Sequence, residues 1–357
     1  MIISCLGIIV YSNTLNSPFY LDDLNFIVKN PYINNFQNLF NIWRCYPCRF
    51  VTFLSIALSY HFNGLNVLGY HLFNITIHLA SAILVWWLVL LTLRTPVMKD
   101  DKITKHANLI AFFAGLIFVS HPVQTEAVTY IWQRAASMAA LFYLASLCFY
   151  IKSRLLVLTG EHKACSYYIL SLIMAVLAMF SKENSITLPL IILLYEFSFF
   201  EFKKIPHSKY FLPFLLTLFI IPSMMLLSKM EQFQEFKILA DWKENPPLHY
   251  FLTQFRVIVT YIRLLFLPFN QNFDYDYHIS TSFFEWPTLI SFLFLTSILF
   301  GAKQLFVKYR LIAFSIFWFF LTLSVESSFF PLSKVIYEHR LYLPLVGYSI
   351  FLIRPPQ

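Results

Sequence analysis

The chain has 357 residues, 59% of them hydrophobic and 12% charged, with 26 Lys and Arg against 18 Asp and Glu and a formal net charge of +8. Soluble domains carry about 25% charged residues, so this composition excludes a soluble globular protein and reads as an all-α polytopic membrane protein. The basic excess needs no nucleic-acid partner, because loops lying against a membrane surface account for it.

Apolar stretches of about 17 to 25 residues are long enough to cross a hydrocarbon core of about 30 Å as helices. In chain order the candidate spans are 1–16, 67–93, 107–120, 135–151, 166–180, 186–200, 210–228, 284–300, 311–326 and 341–353. The first has no basic n-region and no small-residue cleavage site after it, so it reads as a retained span rather than a signal peptide. Segment 17–66 then forms a large outer loop that places Asp22 and Asp23 side by side in PFYLDDLNFIVKN. Within it, RCYPCRF holds Cys45, Cys48 and Arg49. A thioredoxin-type motif needs a βαβ context that is missing, so these cysteines read as incidental thiols or a local crosslink.

Beyond the loop, YHLFNITIH sets His71, Asn74 and His78 at i, i+3 and i+7 on one helical face. HPVQTE combines the helix-breaking Pro122 with His121 and Glu126, and Arg134 stands at the start of the next span. SKENS brings Lys182 and Glu183, and Glu338, His339 and Arg340 directly precede the last span. Segment 251–269 is nearly long enough to cross, yet Arg256 and Arg263 would share one stripe of it. It reads as an interfacial or re-entrant helix whose arginines face water or protein.

Four short loops, 94–106, 152–163, 201–209 and 303–310, hold 13 of the 26 basic side chains. The positive-inside rule makes them cytoplasmic. Asp22, Asp23, Arg49, His71, Asn74, His78, His121, Glu126, Arg134, Lys182, Glu183, Glu338, His339 and Arg340 then gather at the extracytoplasmic rim. Ionisable residues beside spans mark functional pathways. A transporter or lipid-linked sugar flippase would place several near the midplane, at broken helices in matching halves. A one-sided rim instead favours a site that opens outward on a substrate whose apolar part stays in the bilayer. Structural alternatives stand beside this reading: interhelical hydrogen bonds for the 71/74/78 stripe, a cap and ion pair for HPVQTE, a snorkelling pair for Lys182 and Glu183, a membrane anchor for Arg340, and helix capping for Asp22 and Asp23. A catalytically silent scaffold is the corresponding reading of the whole chain.

Five pieces in order, YLDDLNFIVKNPYINNFQNLF, RFVTFLSIALSYHFNGLNVLGYHLFNITIHLASAILV, HPVQTEAVTYIWQRAASMAALFY, SKENSITLPLIILLYE and YEHRLYLPLVGY, resemble the membrane half of the tetratricopeptide-repeat O-mannosyltransferases of the GT-C superfamily. The resemblance implies a GT-C-like bundle of about ten or eleven helices with a large first extracytoplasmic loop bearing the acidic motif. It implies a polyprenyl-phosphate-linked sugar as donor and a protein hydroxyl as acceptor. Three departures are visible: Phe50 follows Arg49 where the family has proline, Gln133 precedes Arg134 where it has glycine, and the sequence ends at IRPPQ, before the last helix and the repeats. The expectation is one domain over 1–357 with no tetratricopeptide-repeat domain.

Sugar transfer to a hydroxyl needs a general base and cationic groups where charge grows on the departing phosphate. Asp22 and Asp23 supply the first, with Asp22 as base by the family motif and its neighbour orienting the acceptor or capping. Arg340, Arg134, Lys182, Arg49 and His339 are the phosphate candidates; His71, Asn74, His121, Glu126, Glu183 and Glu338 line the site. No cofactor is required. An Asp–Asp pair can bind a divalent metal, but none is expected with a monophosphate leaving group. Membrane lipids complete the partners.

Overall fold

An apolar run in lipid satisfies its backbone only by closing its own hydrogen bonds, which is why such runs become helices. The computed structural model describes residues 1–34, 39–200, 207–227, 246–332 and 334–353, and has no strand among them. Its helices are α1 (Ile2–Tyr11), α2 (Leu39–Cys45), α3 (Phe50–Asn63), α4 (Val67–Leu93), α5 (Ala107–Ser120), α6 (Thr125–Thr129), α7 (Arg134–Thr159) and α8 (Ala164–Met179). They continue as α9 (Leu188–Phe199), α10 (His207–Thr217), α11 (Ile220–Leu227), α12 (Pro247–Phe266), α13 (Trp286–Leu305), α14 (Arg310–Leu323) and α15 (Pro344–Leu352). Four stretches are long and apolar enough to cross a membrane: Val67–Leu93, Lys102–Ser120, Ile131–Thr159 and Trp286–Leu305. The protein is an all-α membrane protein. Of the basic loops, 201–206 lies outside the described residues, as does the terminal 354–357.

Local sequence explains the departures from the expected spans. The helix expected over 135–151 continues to Thr159, where Gly160 ends it in the left-handed conformation at φ 72°. Lys152 and Arg154 are therefore helical rather than in a loop. Arg154 can sit there because Glu196 answers its charge, Nε to Oε1 at 2.6 Å and Nη2 to Oε2 at 2.9 Å. The stretch 210–228 divides into α10 and α11 around 218–219, since Pro222 has no N–H and its ring excludes a helical carbonyl four residues earlier. Gly347 on α15 faces α14 so closely that a Cβ would stand 2.7 Å from the Ser315 carbonyl oxygen.

Antiparallel neighbours joined by short connections put alternate helix ends together, and two polar tiers result. One contains the Arg154–Glu196 pair, the Thr92–Tyr195 hydroxyl contact (2.8 Å) and Arg310 donating to Ser198 O (3.2 Å). It lies beside the basic loops 94–106 and 303–310. The other contains Arg134, the Arg49–Glu183 pair, the Lys182–Glu326 pair and the Glu126–His339 pair. Arg134 and Arg154 lie on one helix twenty residues apart, so the tiers are separated by about 30 Å.

α12 lies across the second tier. Tyr250 donates to Glu326 O (2.8 Å), Gln254 to Val335 O (3.0 Å), Tyr261 to Tyr337 O (2.9 Å), and Leu265 O accepts from His121 Nε2 (2.9 Å). These points span about 22 Å of helix, yet all meet segments at the same end of the bundle. Arg256 and Arg263 turn away from it to His278 O and Phe269 O. In a background with the native cysteines replaced, single cysteines at His249 and Phe269 should both react with an impermeant thiol reagent from the side that labels position 126. A crossing helix would put the two on opposite sides.

Candidate active site

The segment after α1 folds on its own apolar cluster, in which Ile27, Ile33, Ile42, Phe53, Ile56 and Tyr70 pack against Tyr130, Ile131 and Trp132. Phe26 stacks on Trp132 with centroids 4.1 Å apart. This packing fixes the turn bearing the two aspartates. Leu21 takes a φ of 44°, a conformation costly for a leucine. Asp23 folds back over it, with Oδ2 accepting from the Tyr20 amide (3.1 Å) and Oδ1 from the Trp132 amide (2.8 Å). Neither bond goes to the helical turn Leu24–Val28 that follows, which has no side-chain cap. The capping alternative is therefore not realised by Asp23, whose carboxylate ties this segment to α7. Asp22 is half-buried beside it, its amide donating to the Tyr130 hydroxyl at 2.9 Å.

Burial raises Asp23 to about 6, against the two amides that favour its charged form. It lines a cavity of about 450 Å³ together with Glu126 and Glu338, with Tyr20, Tyr130, Gln271, Asn272 and Phe273 also contributing to the wall. Glu338 accepts from the Gln271 side chain, the Tyr275 hydroxyl and the Asn272 amide, all of them neutral. Glu126 grips His339 twice: Oε1 lies 2.6 Å from the ring Nδ1 and Oε2 accepts the His339 amide at 2.8 Å. Burial alone would raise Glu126, but the His339 ring and amide outweigh it and hold the carboxyl below its ordinary value.

Behind this wall lie the cations. Lys182 pairs with Glu326 at 2.6 Å, with both side chains under 10% exposed. Burial opposes ionisation of Glu326, yet Lys182 and Arg340 keep it below the carboxylate range. Arg340 donates to Val335 O, Lys334 O and the Tyr250 hydroxyl. The Arg49–Glu183 pair is more open, at 21% and 28%. Lys182 and Glu183 thus serve separate partners rather than snorkelling together, and the buried Arg340 is no surface anchor.

The remaining expected residues stand away from the cavity wall. Arg134 is sealed from solvent and donates to Asn74 Oδ1 (2.7 Å), Ser59 Oγ (2.9 Å), Ser55 O (3.1 Å) and Tyr70 O (3.2 Å). His71 reaches Ser17 O, and Asn74 also reaches Val128 O. His78 bridges Tyr342 and Val119 O. Asn74 and His78 make the interhelical bonds the spacing suggests, while His71 ties α4 to the segment after α1. His121 caps Val123 N through Nδ1 while Nε2 holds Leu265 O. Cys45 and Cys48 are free thiols. Among the described residues no three His, Cys, Asp or Glu side chains group closely enough to hold a metal ion. Sequence reasoning missed Glu326, Tyr130, Gln271 and Tyr275. For Glu326 a signal existed, a single carboxylate in the otherwise uncharged run LTLSVESSFF at the end of a span.

No family model and no solved structure matches the chain. It is similar to the protein O-mannosyl-transferase TMTC2 of Homo sapiens, 34% identical over 167 residues, which is 43% of this chain and 18% of that protein. The protein O-mannosyl-transferase F38B6.6 of Caenorhabditis elegans is 30% identical over 54% of this chain and 27% of its own length. For Tmtc1 of Drosophila melanogaster the figures are 30%, 52% and 21%. The chain thus resembles a membrane region of the TMTC proteins, and the matches span about a fifth to a quarter of those relatives.

The raised Asp23 has a consequence for stability. Its contribution is fully present below its unfolded value near 4 and is lost as pH rises through about 6, on the order of 2 to 3 kcal/mol. Asp23→Asn, a neutral near-isostere of the protonated acid, should lack this pH-dependent component. Thermal melts in detergent from pH 4 to 7.5 should show native stability falling relative to the variant as pH rises through about 6. For Arg134→Ala, orphaning Ser55 O, Tyr70 O and Asn74 Oδ1 should cost at least about 3 kcal/mol, read as loss of folded protein by size-exclusion fluorescence.

Proposed function

We propose that this chain is a multi-pass membrane glycosyltransferase that moves a sugar from a polyprenyl-phosphate donor to a hydroxyl acceptor. The TMTC likeness favours mannose as the sugar and a protein Ser or Thr as the acceptor. One observation carries the reading: a cavity walled by carboxylates stands directly before a buried cation network at one end of the bundle. The basic loops at the other end make this end extracytoplasmic by the positive-inside rule.

The two compartments suit the two halves of the reaction. An acceptor hydroxyl enters the cavity and gives its proton to Asp22, which the family motif favours and which Asp23 holds in place through the shared turn. The bond from the anomeric carbon to the acceptor oxygen forms as the bond to the phosphate oxygen breaks. Charge grows on the lipid phosphate, where Arg49, Lys182, His339 and Arg340 answer it. Arg134 has all three guanidinium nitrogens on protein acceptors and so positions the site without touching phosphate, whereas among the described residues nothing accepts from Arg340 Nε. With these cations the leaving group needs no metal. Asp23 is the competing base, because it lines the cavity and its value near 6 suits proton transfer close to neutrality.

Purified protein, labelled polyprenyl-phosphate mannose and a Ser/Thr peptide provide the test. Asp22→Asn should lower turnover on the order of 10² to 10⁴-fold with its melt unchanged. If a folded Asp23→Asn variant carries the loss and Asp22→Asn does not, Asp23 is the base. Near-full transfer in both variants would make the pair structural, and no transfer by the native protein would remove the assignment.

A further inference from the structure

The wall between the cavity and the cations is the Glu126–His339 pair, and its geometry is directional. Both Glu126 oxygens are spent on one residue, one on the His339 ring and one on its amide. The ring can then neither rotate nor slide. With Nδ1 bound to a carboxylate, Nδ1 carries the proton and the other nitrogen is left to act. Among the described residues nothing hydrogen-bonds to His339 Nε2, and it is not one of the sealed polar atoms. The charged groups that face the ring are Glu126 from α6, Lys182 from the segment before α9 and Glu326 from the segment after α14. Arg340 adjoins it in sequence, and Tyr337 lies against it with ring centroids 5.0 Å apart.

We propose that His339 binds the donor phosphate as an imidazolium through Nε2, and that Glu126 is the positioning residue that aims this ring and supports its second proton. The proposal rests on the transferase reading and assigns Glu126 a role beyond lining the cavity. In the free protein the buried ring titrates below its ordinary value, because burial and Lys182 outweigh Glu126 and Glu326. An anionic phosphodiester entering beside Nε2 adds the negative charge that shifts the balance, so donor binding takes up a proton. During transfer the anomeric C–O bond to phosphate breaks, and the phosphate oxygen that gains the electron pair receives the Nε2 proton. The acceptor's proton goes to the aspartate base. One proton has then moved from solvent through His339 to phosphate and one from acceptor to aspartate, which returns it to solvent. The sum is one glycosidic bond exchanged.

A charge relay and a passive strut differ in their response to pH. Polyprenyl-phosphate mannose has no group titrating between pH 5 and 8.5, so its affinity for the full chain in detergent, measured without acceptor, reports on the protein alone. Native affinity should weaken as pH rises, when the imidazolium is lost. In Glu126→Gln the weakening should begin about one pH unit lower, leaving a roughly tenfold defect at pH 7.5 that shrinks to less than threefold at pH 5.5. His339→Gln should flatten this pH dependence, and Glu126→Gln should add little in that background. A Glu126→Gln defect that is equal at both pH values, or additive with His339→Gln, would overturn the proposal. If Glu126→Gln does not fold, an unchanged pH dependence in His339→Gln overturns it as well. Because binding is the readout, these outcomes are decisive even where no sugar transfer is seen, and that result would count against the transferase reading alone.

Discussion

A guanidinium sealed from water must find an acceptor for each of its donors, and Arg134 finds them on two different helices. It takes Ser55 and Ser59 from α3 and Tyr70 and Asn74 from α4, while its own backbone begins α7. The cost of leaving any of these groups unpaired is what locks the segment after α1 onto the membrane bundle. Two residues earlier on the same stretch, the Trp132 amide holds Asp23. The position of the acidic turn is therefore inherited from a charge sealed inside the protein.

The carboxylates that the bundle buries or half-buries fall into two groups. Glu183, Glu196 and Glu326 each face an arginine or lysine at 3.0 Å or less. Asp23, Glu126 and Glu338 face amides, hydroxyls, a carboxamide and one imidazole. The first group holds helices together by charge pairing, which is robust only while both partners remain. The second keeps its negative charge uncancelled along one cavity wall. Such a wall favours hydrogen-bond donors over anions.

Much of this was legible in the residues. The composition and the apolar runs identified a helical membrane protein, and the 74/78 spacing described its interhelical bonds. The motifs at 22–23, 121–126, 182–183 and 338–340 do converge at one end. What the sequence withheld was pairing over distance. Glu326 lies 144 residues from Lys182 and His339 lies 213 from Glu126, and local pattern contains no term for such separations. Helix boundaries failed for the same reason: Arg154 looked like loop charge because its partner is 42 residues away. Arg134 looked like a ligand-binding cation because its four partner residues are ordinary polar side chains and carbonyls.

The helices differ in length, and a bilayer has to accommodate the difference. α4 and α7, at 27 and 26 residues, each rise about 40 Å, whereas α8 and α14, at 16 and 14, rise about 24 and 21 Å. The two short helices lead directly into Lys182 and Glu326. Against a hydrocarbon thickness of about 30 Å, this flank falls several ångströms short, and thinning the lipid there costs only fractions of a kcal/mol per ångström. Matching helices of such unequal length requires an uneven bilayer surface, thinner beside α8 and beside α14 than beside α4 and α7. Thinning of this kind would bring the headgroup layer toward the level at which Lys182 meets Glu326.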